Sequence, residues 1–177
     1  RPVPADPPAV AQLTSDMARI ESINPGPAGD DVSGRREADI SRFVAEWLGE
    51  RGIAADVVEV GCIGFCSAEP LLDVQLPGRT RVCFRGVTEE YVYELLDAAL
   101  QGQLPGERLL WQFRAPEPAE DLPPAVPWDD APFLDEHPFF APQTRWVLAN
   151  CGHIDPNSID EYIARGGYRA LVRTLRW

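Results

Sequence analysis

The apolar positions Ile40, Phe43, Val44, Trp47 and Leu48 fall at i, i+3, i+4, i+7 and i+8. That spacing puts them on one face of an α-helix. Gly52 follows, where a left-handed residue without a Cβ can close the helix at its C′ position. Val57–Val60 comes directly after, and its short β-branched run predicts a strand. Leu72, Val74 and Leu76 alternate with Asp73 and Gln75, which predicts a half-buried strand with one apolar and one polar face. Pro77-Gly78-Arg79-Thr80 turns this strand into a second one over Arg81–Val87, completing an antiparallel hairpin. Thr88 can then cap a helix that carries Val92, Leu95, Leu96 and Ala99 and ends near Gly102.

Weaker patterns flank this block. Arg1–Pro8 is proline-rich and predicts a disordered arm, after which Ala9, Val10, Leu13, Met17 and Ile20 keep a near-helical period. Asn24-Pro25-Gly26-Pro27 stops any such helix, and Gly29–Arg35 reads as loop. From Gly106 to Pro142 prolines and acidic residues recur without sustained periodicity, predicting a linker or an extended arm laid over another surface. Its aromatic residues Trp111, Phe113, Trp128, Phe133, Phe139 and Phe140 point to docking on a protein surface rather than to a cofactor box. Arg145–Ala149 reads as one more strand. Asp155 with Pro156 at the first helical position opens a helix whose apolar face is Ile159, Tyr162 and Ile163, ended by Gly166-Gly167. Tyr168–Leu175 adds a last helical stretch. The order helix, strand, hairpin, helix predicts a small α/β layer domain.

Composition narrows the functional classes. With 177 residues and 45% apolar content the chain is long enough for one ordinary domain or two small ones. A net charge of −12 repels phosphate backbones and anionic lipid, and no helix carries a basic stripe, so nucleic acid is not an expected partner. All sixteen basic residues are arginine, which excludes a P-loop lysine and Schiff-base chemistry. The apolar runs fall well short of the roughly 18 to 20 residues of a transmembrane span, and no secretory leader opens the chain. The start at Arg1 without a Met points to processing or truncation, and the expected location is cytoplasmic. Four cysteines, Cys62, Cys66, Cys83 and Cys151, then read as reduced thiols, core thiols or metal ligands rather than a disulfide framework.

Cys62-Ile63-Gly64-Phe65-Cys66 sets two thiols on a loop after a strand, with a glycine between them that lets the backbone curl around a cluster. The wider string from Gly61 through Ser67-Ala68-Glu69-Pro70 to Leu76-Pro77-Gly78 closely resembles the thioredoxin-like two-iron ferredoxin segment of NADH-binding subunits. These occur in NADH:quinone oxidoreductases, bifurcating hydrogenases and NAD-linked formate dehydrogenases. The resemblance resumes at His137-Pro138-Phe139-Phe140-Ala141-Pro142-Gln143. It runs through Asn150-Cys151-Gly152-His153-Ile154-Asp155-Pro156 to Glu161–Tyr168, a stretch similar to the start of the flavin and NADH-binding domain. It implies a thioredoxin-like α/β sheet with a proline-rich extended linker and a short C-terminal helical segment. The units would be 1–60, 61–105 as the ferredoxin half, 106–142 as linker, and 143–177 as a truncated flavin-domain start.

The resemblance also implies a 2Fe-2S cluster held by four cysteines near an FMN that accepts hydride from NADH. Cys62 and Cys66 match the second ligand pair. The first pair, four residues apart after the opening strand, would precede the helix at Ile40–Leu48, yet no cysteine precedes Cys62. A cluster short of two thiolates is poorly held. The FMN and NADH sites of the family lie outside the matched residues. The expectation is therefore a piece of an NADH:acceptor oxidoreductase, inactive alone, whose partners are other subunits of the complex or a missing flavin domain.

Leu13 to Val60 carries a different likeness. Arg19–Pro25, Gly34–Asp39, Ile40–Leu48, Gly52 and Val57–Val60 resemble the N-terminus of the M20 family of zinc-dependent aminoacylases and deacetylases, in the order helix, Ser-x-Asn-Pro loop, helix, strand. This implies a chimeric front end. Gly152-His153-Ile154-Asp155 is similar to that family's His-x-Asp metal motif, but Asp155-Pro156 is explained as a helix start, and only His137 and Glu161 remain as further candidate ligands beside Asp160. No Gly-x-Ser-x-Gly elbow occurs. Two other readings remain: a protein-interaction piece docking on a flavoprotein, and the remnant of a zinc hydrolase. A zinc site drawn from the four cysteines is the competing metal reading.

Overall fold

The computed structural model describes residues 18–23, 33–115 and 123–176, with only the backbone described over 18–23 and 33–39. The sheet contains β1 (Ala18–Ile23), β2 (Ala55–Val60), β3 (Leu71–Gln75), β4 (Val82–Phe84) and β5 (Leu109–Gln112) in the order β2-β1-β3-β4-β5. β1 and β2 run parallel, joined through helix α1 (Ser33–Glu50); β3 lies antiparallel to β1, β4 to β3, and β5 to β4. Helix α2 (Glu89–Leu100) follows the hairpin. A parallel β-α-β unit joined to a β-β-α unit through neighbouring first and third strands is a thioredoxin-like α/β fold. Here it is extended by a fifth strand.

Two expectations at the front change. Ala18–Ile23 is a strand, so Ile20 does not continue a helical period. Its backbone is paired on both sides, with Ile23 opposite Val60 and also opposite Leu71, and this double pairing overrides weak helical spacing. The rest of that spacing, with the arm at Arg1–Pro8, lies outside the described residues. α1 begins at Ser33, inside the stretch read as loop. It ends as expected, with Gly52 at φ +67° and its N–H donated to the Gly49 carbonyl at 3.0 Å.

The sheet is buried on both faces, which explains the next correction. Leu72, Val74, Val82 and Phe84 face α1 and α2, packing with Ile40, Val44, Trp47, Leu48, Val92, Leu95, Leu96 and Ala99. The alternate residues Leu71, Cys83 and Trp111 form a second core with Val60, Ile63, Ala68, Phe113 and Phe140. Asp73, expected on a polar face, is paired in register with Cys83 and fully buried. Each large side chain so enclosed contributes roughly 2 kcal/mol of transfer free energy. Thr88 occupies the N-cap of α2 without a side-chain cap bond, so the first turn is favoured instead by Glu89 and Glu90 beside the positive end of the helix dipole.

The proline-rich stretch is an arm laid over this chain's own sheet rather than a free linker. It supplies β5, and Trp111, Phe113, Trp128 and Phe140 are buried in the two cores. Only Phe139 among the large aromatics here remains markedly exposed. Further along, Arg145–Ala149 forms bends and turns, not a strand. Helix α3 (Ile159–Ala164) is capped by Ser158, whose Oγ accepts the Glu161 N–H at 3.2 Å, so it starts after Asp155. Asp155 makes a turn instead, accepting the Asn157 N–H at 2.8 Å. Helix α4 (Arg169–Leu175) closes the described chain. Among the described residues no helix is long and apolar enough to cross a membrane.

Candidate functional site

The loop Gly61–Pro70 joins β2 to β3 at the end of the sheet where β1 also stops, since Ile23 pairs with Val60 and Leu71. Its shape is set by what it buries. Ile63 and Ala68 enter the second core, and the Phe65 ring packs 5.5 Å from Trp111, 5.3 Å from His137 and 5.0 Å from Phe139. With these residues anchored inward, the intervening positions face out. Gly64 takes φ +91°, which turns the chain between the two cysteines without a Cβ clash. A single 3-10 turn over Cys66–Ala68 then brings Glu69 back toward Cys62.

The result is a three-residue cluster. The Cys62 and Cys66 sulfurs lie 3.4 Å apart, and Cys62 Sγ donates to Glu69 Oε1 at 3.0 Å. The Gly64 N–H donates to Cys62 Sγ at 3.1 Å. One donor atom from each of Cys62, Cys66 and Glu69 lies within 4.8 Å of the others. Cys66 is exposed, while partial burial and the Glu69 hydrogen bond push the Cys62 thiol up to about 12. Cys62 therefore holds its proton at neutral pH and is a poor nucleophile.

The other two cysteines are elsewhere. Cys83 is fully buried in β4, and Cys151 sits in a turn after Leu148. Among the described residues neither joins the cluster. The segment 24–32, which continues from β1, lies outside the described residues and has no cysteine in its sequence. A 2Fe-2S cluster takes four thiolates, two on each iron. The donor set here is two thiols and a carboxylate, so these residues do not fit that cluster.

The two histidines are not brought to the cysteines. His137 is packed against Phe65, Trp111 and Phe140, with its Nδ1 accepting the Phe139 N–H at 3.2 Å. His153 lies edge-on to Phe113, and burial with the nearby Arg81, Arg165 and Arg145 lowers it to about 4. Glu161 accepts the Asp155 N–H at 2.9 Å, stitching the start of α3. The His-Asp pair therefore serves packing and turn formation. Glu69 is the residue that sequence reasoning passed over, although a carboxylate three positions after Cys66 is within reach of one tight turn.

No protein-family model matches the chain. Among solved structures it is similar to the thioredoxin-like [2Fe-2S] ferredoxin from Aquifex aeolicus. One structure of that protein, the wild type at 1.5 Å, aligns at 17% identity and TM-score 0.42, covering 53% of this chain and 96% of the ferredoxin. Another aligns at 16% identity and TM-score 0.44, covering 63% and 98%. At such identity and TM-score these likenesses carry no ligand over to this chain.

Proposed function

We propose that this chain is the thioredoxin-like segment, and the approach to the flavin domain, of an NADH-linked flavo-iron-sulfur oxidoreductase subunit. In that setting it acts as a docking body for the flavin-bearing part and not as an electron relay. The exposed apolar series Trp146, Val147, Ile159, Ile163, Leu171 and Leu175 carries the docking half of the reading. Most of it falls in or beside the stretch that resembles the start of a flavin and NADH-binding domain, which makes that domain the natural partner of these exposed residues. The non-relay half rests on the donor count, with one cysteine pair where a cluster needs two.

The purified chain is expected to give no NADH-to-ferricyanide turnover when FMN is added, and turnover would overturn the non-relay half. On size exclusion with an apolar-surface dye, self-association or strong dye binding is expected. A clean monomer that binds no dye would defeat the docking half.

A further inference from the structure

We infer that Cys62, Cys66 and Glu69 form a mononuclear site for a zinc-class divalent cation, with its fourth coordination position open to solvent. Three features point to a cation and not merely to a hydrogen-bonded cluster. First, the donors come from one short loop whose shape is fixed independently, by Phe65 in its aromatic nest and by the Arg145 guanidinium donating to the Ile63 carbonyl at 3.0 Å. Second, the spacing is close to that of a tetrahedral site. Two Zn–S bonds of about 2.3 Å place their sulfurs about 3.8 Å apart, and a Zn–S with a Zn–O bond spans about 3.6 Å. The observed 3.4 Å and 3.0 Å would open by about 0.4 and 0.6 Å toward those tetrahedral spans, with all three donor atoms already within 4.8 Å of one another. Third, the Gly64 N–H already donates to Cys62 Sγ, the kind of backbone bond that steadies a thiolate ligand.

The charges balance as well. Two thiolates and a carboxylate against a divalent cation leave one negative charge, exposed on the Cys66 side where water solvates it. Binding breaks two S–H bonds, forms two metal–sulfur bonds and sends two protons to solvent, so affinity rises with pH. A mixed sulfur and oxygen set without a geometric demand suits a d10 cation better than magnesium or calcium, which take oxygen ligands alone. This assignment stands apart from the docking reading, since it uses none of those exposed apolar residues.

The test uses the full chain, stripped of metal and then titrated with zinc and separately with cobalt(II). One equivalent should bind with proton release, and the cobalt form should show a sulfur-to-metal charge-transfer band with intense visible bands of tetrahedral coordination. Cys66→Ser, an exposed change that leaves the core intact, should weaken zinc at least about 100-fold, and Glu69→Gln about 10-fold or more. Cys151→Ser should leave affinity unchanged. Circular dichroism on each variant confirms that the fold is retained. Absence of stoichiometric binding would overturn the site, as would affinity that ignores both Cys66→Ser and Glu69→Gln, or iron co-purifying with equal inorganic sulfide. No NADH or flavin enters this experiment, so absence of zinc binding leaves the docking reading untouched, whereas iron with equal sulfide would also overturn its non-relay half.

Discussion

Gln112 grips the backbone of Trp128 from both sides: its Oε1 accepts the Trp128 N–H at 2.9 Å while its Nε2 donates to the Trp128 carbonyl at 2.8 Å. The same amide accepts Thr80 Oγ1 at 2.6 Å and donates to the Ala131 carbonyl at 2.5 Å, so all four of its sites are used inside the protein. This one side chain fastens the proline-rich arm to the last strand. Gln112→Leu keeps the volume and orphans buried backbone groups, each costing the full desolvation of a polar atom. The expected loss is about 3 kcal/mol in urea unfolding. A loss within error of zero would mean that the arm is held by its aromatics alone.

Arg81 and Asp73 set a second tie. The guanidinium approaches Asp73 Oδ2 at 3.6 Å, donates to the Gly152 carbonyl at 2.7 Å and lies 3.8 Å over the Phe113 ring. Both side chains are buried, so removing either takes a close group of opposite charge away from the other. Arg81→Met or Asp73→Leu alone should destabilise by about 3 to 5 kcal/mol, whereas the double variant should recover much of that loss. Denaturant unfolding of the three variants checks this, and simple additivity would refute the coupling.

These ties explain where the sequence was legible and where it was not. α1, α2, β2 and the hairpin follow from local spacing, because each buries a stripe readable within its own residues. β1 and β5 do not, since Ala18–Ile23 and Leu109–Gln112 become strands through pairing with distant partners. Asp73 looked like a solvated position because its alternation with Leu72 and Val74 is that of a one-sided sheet. Only the arm, brought over by Gln112, closes the second face. At the candidate site Cys62 and Cys66 stood out by residue type. Glu69 joins them through a turn that no period in the sequence announces.

Gly52 offers a narrower test of the helix end. Its φ is +67° and nothing lies within 4 Å of where a Cβ would sit, so the cost of a substitution is backbone strain and not a clash. Gly52→Ala should therefore lose about 1 kcal/mol, the ordinary cost of a left-handed residue with a Cβ. Thermal unfolding measures it. A larger loss would reveal a contact that the geometry does not contain.

His153 makes stability depend on pH in a definite direction. Its imidazole sits against Phe113 with Arg81, Arg165 and Arg145 nearby, so the folded protein resists protonating it until about pH 4 instead of the ordinary 6.5. Between those values the unfolded chain binds the proton more readily, and stability must fall as pH drops through that window. Above 6.5 the histidine is neutral in both states and adds no slope. Carboxylates titrate in the lower part of the same range, so the comparison needs a partner variant. His153→Phe keeps a ring against Phe113 and removes the titration. Unfolding midpoints from pH 7 down to about pH 5, above the ordinary carboxylate range, should decline more steeply for the wild type than for the variant. Parallel declines would show that the folded imidazole takes up its proton normally, and that neither its burial nor the arginines around it disfavour the charged ring.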